Sequence, residues 1–354
     1  MRIIKEKDIN IQDVVDVLGA GGLVVYPTET VYGIGASAVD KKAIEKLNKY
    51  KKRPTGKPYS IVVSDVVMAK KYVTLNPTAE NIYKTFLPGP ITVISNGKHK
   101  VAQGVESETG TLGIRIPSYK LVTDIVSRFR NPITATSANA SYKKRPYKIA
   151  DIFSCLTEKQ KCLIDLVIDA GTLPKNEPST VIDTTYDEIA ILRQGSVYIQ
   201  NKNEVLSRSP EETRNCAKEL WQKYERFAGK RAIVFALTGK MGSGKTIFTK
   251  GLAKAMGVRD LVTSPTYNIV NHYQIENKTN KFIHIDVWRI GNESEISDLN
   301  ISQDINDRSV LAIEWADKIT DAIRKFNEEA IIVWVKINIG NIFNERSIEW
   351  GVEK

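Results

Sequence analysis

Residues 239–246 have the side chains and the spacing needed to bind the phosphates of a nucleotide. They read Gly-Lys-Met-Gly-Ser-Gly-Lys-Thr and match the P-loop pattern GxxxxGK[ST] at every fixed position. Gly242 and Gly244 allow backbone N–H groups to point inward around a phosphate, and a following helix adds a favourable dipole. Lys245 would reach the β- and γ-phosphates, and Thr246 would ligate Mg²⁺. The candidate ATP-binding residues are Gly239, Met241, Gly242, Ser243, Gly244, Lys245 and Thr246.

The segments on either side of this loop have the pattern that a P-loop requires. Residues 231–238 form a short apolar run, which predicts a buried strand, and residues 247–256 have the pattern of a helix. The order of strand, glycine-rich loop and helix favours a nucleotide site over a glycine-rich turn with an incidental lysine.

Two apolar runs farther along the chain each end in an acid. Residues 282–286 end at Asp286, and residues 310–314 end at Glu314. A carboxylate at a strand end opposite a P-loop can hold Mg²⁺ or orient an attacking water molecule. An ordinary carboxylate at a sheet edge is the alternative for each acid. His284 fits a strand residue and a site residue equally well.

Three polar clusters precede residue 140. Residues 26–33 place small hydroxyls and a turn glycine after an apolar strand, where α/β sheets commonly bind ligands. Residues 49–54 concentrate cations that suit a polyphosphate, and residues 134–139 lead from a strand into a loop that can hydrogen-bond a nucleotide or a carboxylate. Each cluster also fits an ordinary turn or a solvated lysine run. Together they predict a ligand-binding α/β domain without fixing its substrate.

The composition is typical of a soluble protein with two domains. The 354 residues exceed one ordinary domain, and the contents of 42% hydrophobic and 26% charged residues are normal for globular chains. Because no apolar stretch or signal-peptide pattern stands out, we expect a cytoplasmic protein without membrane contact. Three scattered cysteines argue against a zinc site. The net charge of +10 fits polyanionic partners such as nucleotides or tRNA, and equally a basic solvated surface.

Apolar runs alternate with helical patterns in residues 1–200, which predicts a mixed α/β fold on a twisted sheet. The expected strands lie in residues 22–26, 59–63, 91–94, 112–116, 133–136 and 163–168, and the expected helices in residues 43–50 and 121–129. Residues 200–210 are polar and predict a connector. Ser209 is expected to cap the next helix, with Glu212 completing a capping box. The predicted domains are 1–200 and 205–354.

The order of motifs in the second half resembles the TsaE family of P-loop ATPases. The matching segments are residues 209–213, 239–246, 264–267, 284–289 and 314–315, within a match over about residues 205–350. The resemblance implies residues for a Mg²⁺–ATP centre and one residue near the nucleotide, which are Thr246, Asp286, Glu314 and Trp315. The positions that depart from the family's usual residues are Lys240, Trp288 and Ile247. None of these three departures removes a phosphate or metal ligand that the resemblance implies.

The first half resembles the YrdC/TsaC family of threonylcarbamoyl-AMP synthases over nearly all of residues 2–198. The matching segments are residues 27–35, 51–54, 87–90, 113–117, 137–139, 178–182 and 192–195. The residues that match the family's signature tetrad, and are therefore the catalytic candidates, are Lys51, Arg53, Ser137 and Asn139. The residues that match positions of the threonine and nucleotide pocket are Thr28, Tyr32, Arg115, Ser179 and Arg193.

The two resemblances imply a bifunctional fusion for the biosynthesis of threonylcarbamoyladenosine in tRNA. The N-terminal domain, a YrdC-like twisted mixed sheet, would form threonylcarbamoyl-AMP and pyrophosphate from L-threonine, bicarbonate or CO₂, and ATP. The C-terminal domain, a P-loop NTPase α/β fold with Mg²⁺, would hydrolyse ATP through Glu314 to support a TsaB–TsaD-type transferase complex. Contact with tRNA would be indirect, through that complex.

Three alternatives stay open at this point. A carbamoyl-adenylating maturation enzyme also contains a YrdC-like domain, but such proteins carry cysteine-rich zinc modules. An RNA-binding YrdC-like module fits the basic charge, yet the complete set of Lys51, Arg53, Ser137 and Asn139 favours chemistry over binding alone. A P-loop kinase is the third alternative, and the sequence identifies no acceptor site for one.

Overall fold

The computed structural model divides the chain into two compact units, Met1–Tyr198 and Ile199–Lys354. The described residues are 1–52, 57–139, 144–186, 189–197, 203–264, 269–275, 280–290, 301–327, 329–340, 342 and 344–351. Arg53 and residues 265–267, which the sequence singled out, lie outside this set. Within it, no helix combines the length and the apolar character needed to cross a membrane.

The first unit is a mixed α/β fold, as its sequence pattern predicts. Its described strands are β1 (Arg2–Lys5), β2 (Val24–Tyr26), β3 (Gly33–Gly35), β4 (Ser60–Val62), β5 (Val73–Thr74), β6 (Ile91–Gly97), β7 (Thr111–Arg115), β8 (Ile133–Ser137), β9 (Leu166–Asp169), β10 (Thr180–Asp183) and β11 (Ala190–Arg193). They form one sheet in the order β1-β9-β2-β3-β8-β4-β7-β6-β10-β11, with β5 beside β6. Its described helices are α1 (Ile11–Gly19), α2 (Lys41–Lys51), α3 (Val66–Tyr72), α4 (Pro77–Phe86), α5 (Lys120–Phe129), α6 (Ile149–Phe153) and α7 (Glu158–Lys161).

A close approach between two strands fixes the polar turn of residues 27–32. The Tyr26 ring packs over the neighbouring strand β3, where a Cβ at Gly33 or at Gly35 would lie 2.9 Å from ring carbons. Only glycine fits such a contact without a shift of the ring. The Tyr26 hydroxyl donates a hydrogen bond to the carbonyl of Thr134 at 3.1 Å. The turn between β2 and β3 is therefore held against β8.

The second unit has the architecture that a P-loop requires. Its described strands are β12 (Asn203–Ser207), β13 (Ala232–Thr238), β14 (Val270–Gln274), β15 (Lys281–Asp286), β16 (Ser309–Glu314), β17 (Ala330–Ile339) and β18 (Arg346–Gly351). They form a sheet in the order β12-β18-β17-β13-β16-β15-β14, in which β17, β13, β16 and β15 are parallel. Its described helices are α8 (Pro210–Tyr224), α9 (Lys245–Met256), α10 (Ile301–Asp304) and α11 (Thr320–Arg324).

Helix α8 begins where the capping residues predict. The Ser209 side chain accepts a hydrogen bond from the N–H of Glu212 at 3.1 Å, so Ser209 is the N-cap. The Glu212 carboxylate accepts from the N–H of Arg208 at 2.6 Å, one residue before the partner that a capping box predicts. The apolar face of this helix is buried, with Leu220 and Trp221 in the core.

The segment expected to be a connector contains a strand of the second sheet. Strand β12 pairs antiparallel with β18 over five residues, from Asn203 opposite Trp350 to Ser207 opposite Arg346. Ser207 is buried, and its hydroxyl donates to the carbonyl of Ser209 and lies 2.8 Å from that of Thr213. The polar composition of this stretch is that of a sheet edge, where one face meets water.

The expected strand at residues 163–168 begins later than its apolar pattern suggests. The N–H groups of Leu163 and Ile164 bond to the carbonyls of Gln160 and Lys161, so the first residues of the run continue the turn after α7. Strand β9 starts only at Leu166.

Removal of β12 should destabilise the second unit. A fragment that begins at residue 199 retains this strand, whereas one that begins at residue 208 loses it and exposes the edge of β18. We expect the shorter fragment to unfold about 4 °C lower, because a loss of about 1–2 kcal/mol moves the midpoint of a domain of this size by that amount. Differential scanning calorimetry of both fragments measures the difference, and equal midpoints would show that β12 adds no stability.

Candidate active sites

The P-loop lies between β13 and α9, in the middle of the parallel strands. Gly242 and Gly244 have φ values of 75° and 106°, a left-handed region that favours glycine. Gly239 has φ of 139°, and a Cβ there would lie 2.2 Å from the carbonyl oxygen of Ile337 on β17. The three glycines that the pattern fixes or favours are thus required by the backbone path of the loop.

Lys245 is the first residue of α9 and folds back over the loop. Its Nζ donates to the carbonyls of Gly239 at 2.8 Å and Lys240 at 3.0 Å, and it lies 3.7 Å from the centre of the Trp315 ring. Burial lowers the pKa of Lys245, while the Glu314 carboxylate acts in the opposite direction. The Lys245 ammonium is therefore held at the loop by two carbonyl oxygens. Phosphate oxygens of a nucleotide could accept its hydrogen bonds in place of these carbonyls.

Glu314 is a buried carboxylate at the end of β16, 2% exposed. Its Oε2 accepts from the Thr246 hydroxyl at 2.9 Å, and its Oε1 accepts from the Thr249 hydroxyl at 3.3 Å. The Nε2 of His284 lies 2.9 Å from the same Oε1, and this histidine is fully buried. Since a buried charge needs such partners, these three side chains fix the carboxylate in one orientation.

Sequence reasoning left His284 undecided and missed Thr249. A signal for Thr249 was present, because residues three apart in a helix lie on one face. Thr246 and Thr249 have this spacing and direct both hydroxyls to the same carboxylate. His284 lies two residues before Asp286 on β15, and alternation along the strand points it into the unit.

Asp286 and Glu314 lie side by side. Strands β15 and β16 are parallel and pair these two residues directly, while Leu237 of β13 is the partner of Glu314 on the other side. The half-buried carboxylate of Asp286 accepts from the Ser264 hydroxyl at 3.1 Å and from the N–H of Trp288 at 3.0 Å. Both acids thus stand at the carboxyl ends of neighbouring strands, and the strand of Glu314 lies beside the P-loop strand β13.

Two tryptophans, Trp315 and Trp288, lie between Lys245 and the surface. The ring centres of Trp315 and Trp288 are 4.5 Å apart, and Trp288 is 44% exposed. Trp315 has φ of 61°, a left-handed conformation that is unusual for a bulky residue. Lys318 donates to the carbonyl of Trp288 and lies 5.2 Å from the centre of its ring. Lys245, Trp315, Trp288 and Lys318 thus form a row of contacts, in which the two indole planes are tilted by 42°.

The side chains at this site fit Mg²⁺. Among the described residues, no group of three or more His, Cys, Asp or Glu side chains is placed to hold a metal ion. Mg²⁺ in nucleotide sites takes one or two carboxylates or hydroxyls and completes its shell with phosphates and water. The hydroxyl of Thr246 and the oxygens of Asp286 and Glu314 are hard donors of this kind.

In the first unit, Lys51 holds the segment that follows β8. It is the last residue of α2 and is 5% exposed. Its Nζ donates to the carbonyls of Ser137 at 2.9 Å and Asn139 at 2.7 Å, which brings three of the four tetrad candidates together. The fourth, Arg53, lies outside the described residues. A cation that is already fixed by two carbonyls is suited to stabilising an anion without further reorganisation.

The turn between β2 and β3 is built around Thr28. Its Oγ1 accepts from the N–H groups of Thr30 at 3.1 Å and Val31 at 3.2 Å and donates to the carbonyl of Val31 at 2.7 Å. Arg115 reaches this turn from β7, where its Nη2 donates to Glu29 Oε1 and Thr30 Oγ1, each at 2.8 Å. Glu29 was not among the residues predicted from the sequence, although it lies within the polar cluster of residues 26–33.

Ser179 and Arg193 form a second polar pair near Arg115. The Arg193 side chain donates to the carbonyl of Ser179 at 2.9 Å and to its Oγ at 2.8 Å. The Ser179 Oγ lies 3.0 Å from the hydroxyl of Thr92, which is paired with Arg115 in the β6–β7 register. Thr92 therefore connects the two arginines: it is paired with Arg115 in the sheet, and its hydroxyl contacts the serine that Arg193 binds.

Tyr32, like Thr28 and Ser179, is buried and has its hydroxyl bonded within the fold. Its side chain is fully buried, and its hydroxyl accepts from the N–H of Ala170 at 2.8 Å and donates to the carbonyl of Gly171 at 2.9 Å. Burial raises the pKa of Tyr32 to about 12. The hydroxyl is thus used to hold the turn after β9, and contact with a ligand would require one of these bonds to break.

Comparison with protein families accounts for both halves. The model named Sua5_yciO_yrdC, described as telomere recombination, matches residues 16–195, just over half of the 354 residues. The chain belongs to the Sua5/YciO/YrdC family. A second model, described as threonylcarbamoyl adenosine biosynthesis protein TsaE, matches residues 207–347, so a TsaE domain follows the Sua5/YciO/YrdC domain. The expected fold class, two successive α/β units, is confirmed.

Curated and solved members of the Sua5/YciO/YrdC family resemble this chain. A putative threonylcarbamoyl-AMP synthase of Methanocaldococcus jannaschii is 36% identical over 180 residues, which are 51% of this chain and 83% of that protein. The threonylcarbamoyl-AMP synthase of Pyrococcus abyssi is 31% identical over 190 residues, 52% of this chain and 54% of that protein. A crystal structure of P. abyssi Sua5 with L-threonine aligns with a TM-score of 0.52 at 20% identity, covering 94% and 99% of the two chains. This last likeness concerns the fold.

The Arg115–Glu29 pair should make a measurable contribution to stability. The two side chains are only 12% and 17% exposed, so Arg115→Met leaves a poorly solvated carboxylate without its counter-ion. We expect the free energy of unfolding to fall by about 3 kcal/mol. The double variant Arg115→Met/Glu29→Gln should regain most of this loss, because the unpaired charge is gone.

Chemical denaturation of the parent and the variants measures these differences. Lys120→Met is the control, because its pair with Asp124 is exposed, at 85% and 41%, and should change stability by no more than about 0.5 kcal/mol. An equal loss in the single and the double variant would contradict the electrostatic explanation.

Proposed function

We propose that the chain is a bifunctional enzyme for the formation of threonylcarbamoyladenosine in tRNA. The first unit would convert L-threonine, bicarbonate or CO₂, and ATP into threonylcarbamoyl-AMP and pyrophosphate. The second unit would hydrolyse ATP to ADP. The observation that carries the proposal is the presence, in one chain, of two domains of the same biosynthesis, each with its own set of groups for phosphates.

The reaction proposed for the first unit brings together two negatively charged reactants. The amine of threonine captures CO₂ as a carbamate, and a carbamate oxygen then attacks the α-phosphorus of ATP, with pyrophosphate as the leaving group. Both reactants are anions, so fixed cations lower the barrier by offsetting their repulsion and the charge on pyrophosphate. Lys51, Arg115 and Arg193 are such cations, each already held by protein oxygens. Arg53 would add a fourth.

Positioning is the remaining task of the first unit. Once the carbamate has formed, no strong base is needed, and holding the reactants in line supplies much of the rate. The small hydroxyls of Thr28 and Ser179 lie beside these arginines and can bind the polar groups of threonine or of the nucleotide. The amide of Asn139 and the hydroxyl of Ser137 are further hydrogen-bonding groups at the carbonyls that hold Lys51.

In the second unit, Lys245 and the P-loop N–H groups would bind the β- and γ-phosphates. Mg²⁺, when bound, would neutralise part of the phosphate charge, with Thr246 and one or both of Asp286 and Glu314 as its protein ligands. Glu314 would also orient the attacking water, since its carboxylate is fixed by Thr246, Thr249 and His284. Trp315 covers Lys245 and would lie against the nucleotide.

The second unit would act on a TsaB–TsaD-type transferase complex that consumes the adenylate. ATP hydrolysis would then energise or reset that complex, and tRNA would be reached through it. The match of residues 207–347 to the TsaE model supports this role. We place the protein in the cytoplasm, where these substrates are found together.

Replacement of Lys51 should abolish adenylate synthesis. Lys51→Met removes a cation fixed by two carbonyls, and the loss of one such group lowers the rate by about 10²–10³-fold. Pyrophosphate release is measured with ATP alone, with threonine, and with threonine and bicarbonate, and the product is identified by mass spectrometry.

Lys245→Met is the matched control for this experiment, because it changes the same residue type at the other site and should leave synthesis intact. Arg53→Ala should behave like Lys51→Met. Full synthesis by Lys51→Met would show that the first site has been assigned to the wrong residues.

Replacement of Glu314 should stop hydrolysis while nucleotide binding persists. Glu314→Gln keeps the size of the side chain but removes the charge that orients water or binds Mg²⁺, so ADP formation should fall by about 100-fold or more. The assay includes a TsaB–TsaD-type partner. Asp321→Asn is the control, since this carboxylate is 91% exposed and should not affect the rate. Hydrolysis at the parent rate by Glu314→Gln would rule out its catalytic role.

A further inference from the structure

Arg346, at the start of β18, binds the outer side of the P-loop. Its Nε donates to the carbonyl of Ser243 at 2.9 Å, and an Nη2 donates to the carbonyl of Gly242 at 3.2 Å. Its Nη1 donates to the carbonyl of Glu345 at 2.7 Å. The guanidinium therefore contacts two successive peptide groups of the loop that the sequence assigns to phosphate binding.

The position of Arg346 is fixed by the sheet. Its backbone is paired with Ile339 of β17 on one side and with Ser207 of β12 on the other. The backbone of Arg346 is therefore held in place beside the loop on both strand edges. The planar fork of arginine also matches two neighbouring acceptors, which the single ammonium of lysine does less well.

The bonds from Arg346 to these carbonyls also orient the N–H groups on the opposite side of the same peptide groups. In a trans peptide, the C=O of one residue and the N–H of the next point in opposite directions. By holding the carbonyls of Gly242 and Ser243, Arg346 directs the N–H groups of Ser243 and Gly244 away from itself. The Ser243 N–H then bonds to the carbonyl of Lys240 within the loop.

The carbonyl of Lys240 accepts hydrogen bonds from two donors of the loop. It accepts from the Nζ of Lys245 at 3.0 Å and from the N–H of Ser243 at 3.2 Å. Two donors of the P-loop thus converge on one oxygen, as they would on a phosphate oxygen. Arg346 supports the second of these donors from behind.

We infer that Arg346 is a positioning residue of the second ATP site, which orients the N–H groups of Ser243 and Gly244 and so sets the affinity for the phosphates of the nucleotide. The inference rests on the proposed nucleotide binding and adds a residue from the last strand of the unit. The contribution is mainly to binding, since these N–H groups contact phosphates before and during hydrolysis alike. Loss of Arg346 should therefore raise KM more than it lowers kcat.

The test uses the full-length protein and fluorescent ADP, with the component of binding that Lys245→Met abolishes taken as the P-loop site. Arg346→Met should weaken this component by about tenfold or more, because a charged hydrogen-bond donor is lost. Arg346→Lys should be intermediate. Arg308→Met is the control, because it makes the same change at an exposed arginine of the same unit.

Hydrogen exchange of the loop gives a second readout that needs no ligand. In the free protein, amides of residues 240–246 should exchange faster in Arg346→Met than in the parent or in Arg308→Met, while those of α8 should not change. Parent-like ADP affinity together with parent-like exchange in Arg346→Met would overturn the inference. A parent protein without a Lys245-dependent ADP site would instead overturn the proposed ATPase, and the exchange rates would still decide the role of Arg346.

Discussion

The second unit is organised around one buried carboxylate. Glu314 is almost without water contact, and an ionised group in that position is tolerated only when donors surround it. Its donors come from two other elements, Thr246 and Thr249 from α9 and His284 from β15. Helix α9, β15 and β16 are therefore tied to a single arrangement, and the P-loop, which leads directly into α9, takes its position from the same contact.

In the proposed function, the two units would bind negatively charged ligands by different physical means. The second uses a backbone loop and a single lysine, so most of its donors are N–H groups whose directions depend on peptide orientation. The first would use side-chain cations from separate elements, α2, β7 and β11, which are held in place by carbonyl, hydroxyl or carboxylate oxygens. A change in the backbone conformation of the loop would therefore weaken ligand binding more at the second site. Replacement of one charged side chain would weaken it more at the first.

Local features of the sequence predicted those structural elements of the second unit that depend on neighbouring residues. The P-loop between a strand and a helix, the acids at two strand ends and the cap at Ser209 all follow from short patterns. Contacts between distant segments could not be predicted in this way.

The bonds from Lys51 to the carbonyls after β8 and from Arg346 to the P-loop join residues about 90 and 100 positions apart, and their partners are backbone groups, which have no signature in the sequence. Strand β12 was missed for another reason, since a short, half-exposed edge strand has the polar composition of a connector.

Because Asn203 is paired with Trp350, the beginning of the first described strand of the second unit, β12, lies beside the end of its last described strand, β18. Facing residues of antiparallel strands have Cα atoms about 5 Å apart, so a few residues could join them. The unit is thus suited to circular permutation, with new termini opened in a surface turn elsewhere. For the same reason, it could be inserted into a loop of another protein, because both of its ends would leave from one point of the host.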